Sequence, residues 1–245
     1  MAEPPSHRPV TSYVHHRARL TEGQQAAWER WWPDRGRDVA DLVSGAAAYD
    51  PPAWFGRDAP LILEIGSGMG ESTAALAAAE PDVDVIAVEV FEPGIAALLM
   101  RVEAAGLSNL RVLRGDAVAL LRQCVPEESL TGIRIFFPDP WPKRRHRKRR
   151  LVQPDFVALA ASRLRPGGTL HMATDWDDYA VQMRDTADAE PRLENTALGQ
   201  SGGWTSRPLW RPVTKFEARA RVEGRDVHDL VYRRRYGGPD CDHVT

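Results

Sequence analysis

The sequence predicts an α/β protein whose mostly parallel sheet is covered by helices on both faces. Three observations lead there. Five short apolar runs, LILEIG, VDVIAVEV, LRVLRGD, IRIFFPD and TLHMATD, read as buried strands. They alternate with helical stretches at 71–79, 93–105, 153–164 and 176–188, and strands alternating with helices build a parallel sheet with both faces covered. The 245 residues suffice for one large core, and no long period repeats, which removes solenoids and propellers.

In chain order, residues 1–58 are rich in Pro and Trp and read as an N-terminal extension ahead of a main domain at 59–245. The extension holds one helix from about Thr21, as N-cap, to Trp32, where Pro33 is expected to end it. The first strand ends at Glu64-Ile65 and opens into Gly66-Ser67-Gly68-Met69-Gly70, the second ends at Glu89, and the third is followed by Asp116 and a helix AVALLRQ. The fourth stops at Pro138-Asp139-Pro140-Trp141-Pro142 and the fifth at Asp175. A loop at 199–214 rich in Gly, Pro, Ser and Trp then leads to a last strand-like run near Val227–Tyr232.

Composition narrows the function classes. No apolar stretch approaches the length of a membrane helix, and the first thirty residues lack the apolar centre of a signal peptide, so a cytoplasmic protein is expected. Cys124 and Cys241 cannot make a disulfide framework, and no Cys or His pair has zinc-site spacing, so no metal is expected. The net charge of −2 hides a local asymmetry, because residues 143–150 read KRRHRKRR. Among 32 basic residues only Lys143, Lys148 and Lys215 are lysines. Where Arg is the default cation, each Lys is weak evidence that a compact ammonium is wanted there.

The glycine turn between a strand and a helix is where an open α/β sheet holds a nucleotide-like cofactor, with Gly66, Gly68 and Gly70 letting it approach. Charge selects which cofactor. A pyrophosphate on the turn would dislike Glu64 two residues before the first glycine. S-adenosylmethionine carries a sulfonium and an ammonium and no phosphate, so Glu64 gains a role. Glu89 is placed for a ribose diol, and Asp116 for the adenine amino group, or alternatively as the N-cap of the next helix.

Three prolines in five residues make 138–142 a rigid loop at the end of a central strand, expected to overhang the donor methyl. It carries Asp139, and Trp141 offers a face for a base. The cations that follow, Lys143 to Arg150, could be a solvated run. Beside a cofactor site they suit a polyanionic substrate.

The segments LEIGSGMG, AVEVFEPGI, LRVLRGDAV, FFPDPWPKRRHRKRR, HMATDW and RPVTKFE, in this order, resemble the bacterial tRNA (guanine-N7-)-methyltransferase family, and TSYVHHRARLTEGQ resembles its N-terminal segment. The resemblance implies a Rossmann-like class I methyltransferase fold and N7 methylation of a guanine in the tRNA variable loop, with S-adenosylmethionine as donor. It also implies tRNA as partner, no obligatory protein subunit, and a monomer or homodimer. By the same resemblance Glu64, Glu89 and Asp116 match donor-binding acids and Asp139, also beside the donor, the catalytic residue. Lys143, Asp175, Thr214, Lys215, Phe216 and Glu217 match substrate contacts, and Arg145, His146, Arg147, Lys148, Arg149 and Arg150 the RNA-contacting run. His15, His16, Ala18, Ala220 and His228 depart from the family pattern.

Guanine N7 has an in-plane lone pair and no proton, so its attack on a sulfonium methyl needs no general base, and positioning supplies most of the acceleration. A carboxylate can stabilise the positive charge developing on the ring and read the N1 and N2 donors. Asp139 is the first candidate and Asp175 the second. The alternatives fit less well. An NAD(P)-dependent oxidoreductase predicts longer glycine spacing and leaves the proline loop without a use. A non-catalytic RNA-binding protein on the same scaffold has no need of the acids. A pyrimidine-C5 enzyme needs a nucleophilic cysteine, whereas Cys124 reads as packing.

Overall fold

The computed structural model describes Ser12 and residues 19–237. Strands β1 (Gly36–Asp38), β2 (Leu61–Ile65), β3 (Asp84–Glu89), β4 (Leu110–Arg114), β5 (Leu130–Phe136), β6 (Leu164–Thr174), β7 (Leu193–Asn195) and β8 (His228–Arg234) form one sheet in the order β1-β4-β3-β2-β5-β6-β8-β7. From β1 to β6 the pairings are parallel, and β8 runs antiparallel between β6 and β7. The helices are α1 (Glu22–Arg35), α2 (Val39–Ser44), α3 (Pro51–Phe55), α4 (Glu71–Ala79), α5 (Glu92–Ala105), α6 (Ala117–Gln123), α7 (Pro154–Arg163), α8 (Asp177–Asp188) and α9 (Lys215–Val222). Among the described residues no helix is long and apolar enough to cross a membrane.

The two-residue period of the strands assigns their side chains to two cores. On β3, Ile86 and Val88 join a core with Leu120, Val157 and Met183 of α6, α7 and α8. Val85 and Ala87 point the other way, onto Ala77, Ile95, Leu99 and Val102 of α4 and α5. The expected α/β sheet with helices on both faces is therefore present, and each apolar run named from the sequence contains a strand.

Three parts of the N-terminal reading change, the first being that the segment ahead of residue 59 carries three helices, α1, α2 and α3, where one was expected. The first helix does not stop at Pro33 but runs through it to Arg35. Proline there forfeits one N–H near the helix end, and the chain recovers a bond when Gly36 N–H donates to the Trp32 carbonyl. Thr21 is the N-cap as expected, in a reciprocal capping box with Gln24. The segment ahead of residue 59 also contributes an unforeseen edge strand, β1, paired with β4. Its three residues, GRD, are too short and polar to carry a strand pattern. His15, His16, Ala18 and Cys241 lie outside the described residues.

Candidate active site

The strand order reverses at β2, whose neighbours are β3 on one side and β5 on the other. A crevice opens beyond the carboxyl ends of the strands at such a point. Glu64 and the glycine turn lie there at the end of β2, with Glu89 ending β3, Asp116 just past β4, Asp139 past β5 and Asp175 past β6.

Gly66, Gly68 and Gly70 all have positive φ, at 81°, 55° and 75°. Gly70 packs on Leu98, where a Cβ would come within 2.6 Å, whereas a Cβ on Gly66 or Gly68 would meet nothing within 4 Å. The first two glycines therefore face open space, as a turn that receives a ligand should. Glu89 shapes this turn: Oε2 accepts from Gly68 N–H at 2.8 Å, and Oε1 accepts from the N–H groups of Val90 and Phe91 at 2.7 and 2.9 Å. Gly94 of α5 completes it, since a Cβ there would lie 2.3 Å from the Gly68 carbonyl oxygen.

Glu64 is buried, and its Oε1 accepts from the Thr73 hydroxyl at 2.7 Å. Desolvation pushes its carboxyl pKa up, against the hydrogen bond from Thr73 and the charge of Arg134. Glu64 Oε2 and Ser67 Oγ are buried without a hydrogen-bond partner, and buried polar atoms of this kind call for an external one. Asp116 is the N-cap of α6, accepting from Val118 N–H at 2.8 Å through Oδ1.

The loop after β5 is held in an uncommon backbone conformation. Phe137 and Trp141, each preceding a proline, have φ of 52° and 42°. Non-glycine residues in this region are strained and persist where the surroundings over-determine them, often at functional sites. Asp139 between them is exposed. Trp141 donates its indole N–H to the Ser12 carbonyl at 3.1 Å, and Arg149 lies over its ring with Cζ 5.0 Å from the centroid. The basic run forms a short 3-10 helix, Arg144–Arg149, which starts after Lys143. At three residues per turn its side chains fall into three rows, Arg144 with Arg147, Arg145 with Lys148, and His146 with Arg149. Lys143, Arg144, Arg145 and Lys148 are exposed, and among the described residues no carboxylate pairs with them. Desolvation, then the charges of Arg145, Arg149 and Lys143, lower the pKa of His146. Arg150 departs from the expected RNA-facing run: it is 2% exposed, because its guanidinium is turned inward onto α8.

The block RPVTKFE reaches the same edge. Thr214 caps α9, accepting from Glu217 N–H at 3.0 Å. Lys215 Nζ pairs with Glu71, the first residue after the glycine turn, at 2.7 Å. Phe216 stacks on Phe137 with ring centroids 5.9 Å apart. Asp175 pairs with Arg225 at 2.7 Å. Glu217 departs from the expected base contact: it is buried, with Oε2 accepting from Arg211 at 2.7 Å and Oε1 bound by Arg221.

The sequence profile of a family described as "Putative methyltransferase" matches residues 58–230. A tRNA (guanine-N(7)-)-methyltransferase of Methylococcus capsulatus strain Bath is 52% identical over 233 residues, 95% of this chain and 96% of that one. The chain belongs to the tRNA (guanine-N7-)-methyltransferase family. A second member, from Streptomyces avermitilis, is 48% identical over 227 residues, 93% of this chain and 76% of its own. The crystal structure of the antibiotic-resistance methyltransferase Kmr shares the fold, with a TM-score of 0.50 and 16% identity over 82% of this chain and 94% of that chain.

In this methyltransferase the largest feature missed by sequence reasoning is a buried charge cluster behind the RPVTKFE block. Arg211 is fully buried, donating from Nε and Nη2 to the two oxygens of Asp229 at 2.8 Å each and from Nη1 to Glu217. His171 reaches the same Asp229 at 2.8 Å. Burial alone would raise the Asp229 carboxyl, but hydrogen bonds from His171 and Arg211 outweigh it and hold the pKa down. A signal existed: Arg134, His171 and Asp229 are charged or polar residues inside apolar strand runs, and such residues need buried partners.

Proposed function

We propose that this protein transfers a methyl group from S-adenosylmethionine to N7 of a guanine in the variable loop of tRNA. The observation that carries this reading is the rigid loop of Asp139, placed between a glycine turn and a basic 3-10 helix at one edge of the sheet, in a chain of this family. Gly66, Gly68, Gly70, Glu89 and Asp116 would hold the donor, and the partnerless Glu64 Oε2 and Ser67 Oγ suit the polar atoms it would bring. When bound, the donor supplies an electrophilic methyl on a sulfonium.

The residues of the chain do the rest. Asp139 stabilises the positive charge that develops on the guanine ring and orients its N1 and N2 edge. Asp175 presents a second carboxylate, steadied by Arg225. Lys143, Thr214, Lys215 and Phe216 line the nucleotide, and Arg144, Arg145, Arg147 and Lys148 take phosphates. Glu217 acts by anchoring α9 rather than by touching the base. The segment ahead of residue 59 contributes to the tRNA surface, with Ser12 on the Asp139 loop through Trp141. Incubation with unmodified tRNA and methyl-labelled donor, followed by nucleoside analysis, should place the label in N7-methylguanosine. Label in another nucleoside would overturn the assignment.

Two further outcomes follow from the geometry. Glu89→Ala removes a carboxylate that both receives the donor and fixes Gly68. Calorimetric titration should show donor affinity weaker by about 1.5 to 3 kcal/mol, the range for hydrogen bonds to a charged group, and unchanged affinity would remove Glu89 from the site. Replacing Arg144, Arg145 and Lys148 together by alanine should flatten the log-log salt dependence of tRNA binding by about two to three, close to one per phosphate lost. A slope equal to wild type would make the run a solvated face.

A further inference from the structure

Arg150 ends the basic run, yet its guanidinium is spent inside the protein. Nε donates to the Pro140 carbonyl at 2.8 Å, Nη1 to Gln182 Oε1 at 2.8 Å, and Nη2 to the two oxygens of Asp178 at 2.9 and 3.0 Å. The group lies over the Tyr179 ring, 4.6 Å from its centroid. Asp178 and Gln182 are one turn apart on the same face of α8. Pro140 is the residue after Asp139.

We propose that Arg150 is a positioning residue for Asp139, fixing the proline loop from below through α8. Pro138, Pro140 and Pro142 have no N–H, so the loop is short of backbone donors; the Trp141 indole N–H holds it to the Ser12 carbonyl on one side, and the Pro140 carbonyl is the handle on the other. Reaching the Pro140 carbonyl, the Gln182 amide oxygen and both oxygens of Asp178 at once takes the spread donors of a planar fork, which arginine has and the compact ammonium of lysine lacks. Asp178 compensates the buried charge, and from the exposed side it also receives Arg147 at 2.7 Å. The inference rests on the role given above to Asp139. Misplacing a reacting group by about 1 Å can cost on the order of 10²-fold in rate.

The test is Arg150→Lys in single-turnover methylation, with tRNA and donor binding and thermal unfolding measured on the same protein. The expected result is a rate at saturation lower by roughly 10- to 10²-fold, with donor affinity, tRNA affinity and salt slope within twofold of wild type. In the charge-removing variant Arg150→Gln, a salt slope lower by about one with the saturating rate retained would make Arg150 a phosphate ligand and overturn the proposal. So would a rate loss matched by loss of folded, donor-binding protein. If Arg150→Lys does not fold, Asp178→Asn carries the test and should lower the saturating rate in the same way without changing the slope; a wild-type rate overturns the proposal. Combined with Asp139→Ala, Arg150→Lys should add less than about threefold, because the group it positions is gone. A slow Asp139→Ala beside a wild-type Arg150→Lys refutes the positioning role alone, whereas a wild-type Asp139→Ala refutes the reading of Asp139 itself.

Discussion

Asp139→Ala is expected to lower the single-turnover rate of methyl transfer by on the order of 10² to 10³, about 3 to 4 kcal/mol in the barrier. The side chain is exposed on a loop whose backbone is set by prolines on either side and by Arg150 on the Pro140 carbonyl. Truncation therefore removes a charge without emptying a core position, and stability should stay near wild type. Binding of donor and of tRNA measured separately should also change little, because the role proposed for the carboxylate is toward charge that develops only during transfer. Asp139→Asn keeps an acceptor and loses the charge, so its rate should fall between the two. A rate within threefold of wild type for Asp139→Ala would move the role to Asp175 or leave catalysis to positioning alone.

Arg211→Ala is expected to destabilise the fold by about 3 to 5 kcal/mol, the cost of removing one partner of a buried ion pair, although Asp229 keeps His171 and Glu217 keeps Arg221. Asp229 and Glu217 are each 1% exposed and share this one guanidinium. For a chain of this size the loss corresponds to a drop in Tm of roughly 10 °C. The same substitution releases α9, which carries Lys215 and Phe216 at the site edge, so tRNA methylation should suffer even below the unfolding transition. Urea unfolding is the measurement. A change under about 1 kcal/mol would mean that the cluster is hydrated and that α9 is held by other contacts.

Much of the sheet was legible because buried parallel strands leave unbroken apolar runs, and β2 to β6 all announce themselves in this way. The places of the glycine turn, Glu89 and Asp139 in the fold were legible for a related reason: they lie at or just past the carboxyl ends of strands that the sequence marks. Three-residue strands are different. β1 and β7 exist because neighbouring strands offer unpaired backbone, a tertiary effect with no local pattern. Charged residues were harder still. Nothing in KRRHRKRR separates Arg150 from its neighbours, and its inward turn depends on α8 bringing Asp178 and Gln182 beneath it. Glu217 likewise reads as a free acid in TKFE until Arg211 is seen to fill the space behind it.

The most direct measurement compares two transcripts of one tRNA, one with ordinary guanosine and one with 7-deazaguanosine, which lacks the N7 lone pair and keeps the N1 and N2 edge. Both should bind with similar affinity and salt dependence, because the proposed binding runs through the phosphates, which the two transcripts share. Only the ordinary transcript should accept a labelled methyl group, recovered as N7-methylguanosine. Transfer of label to the 7-deaza transcript at a comparable rate would contradict N7 as the acceptor.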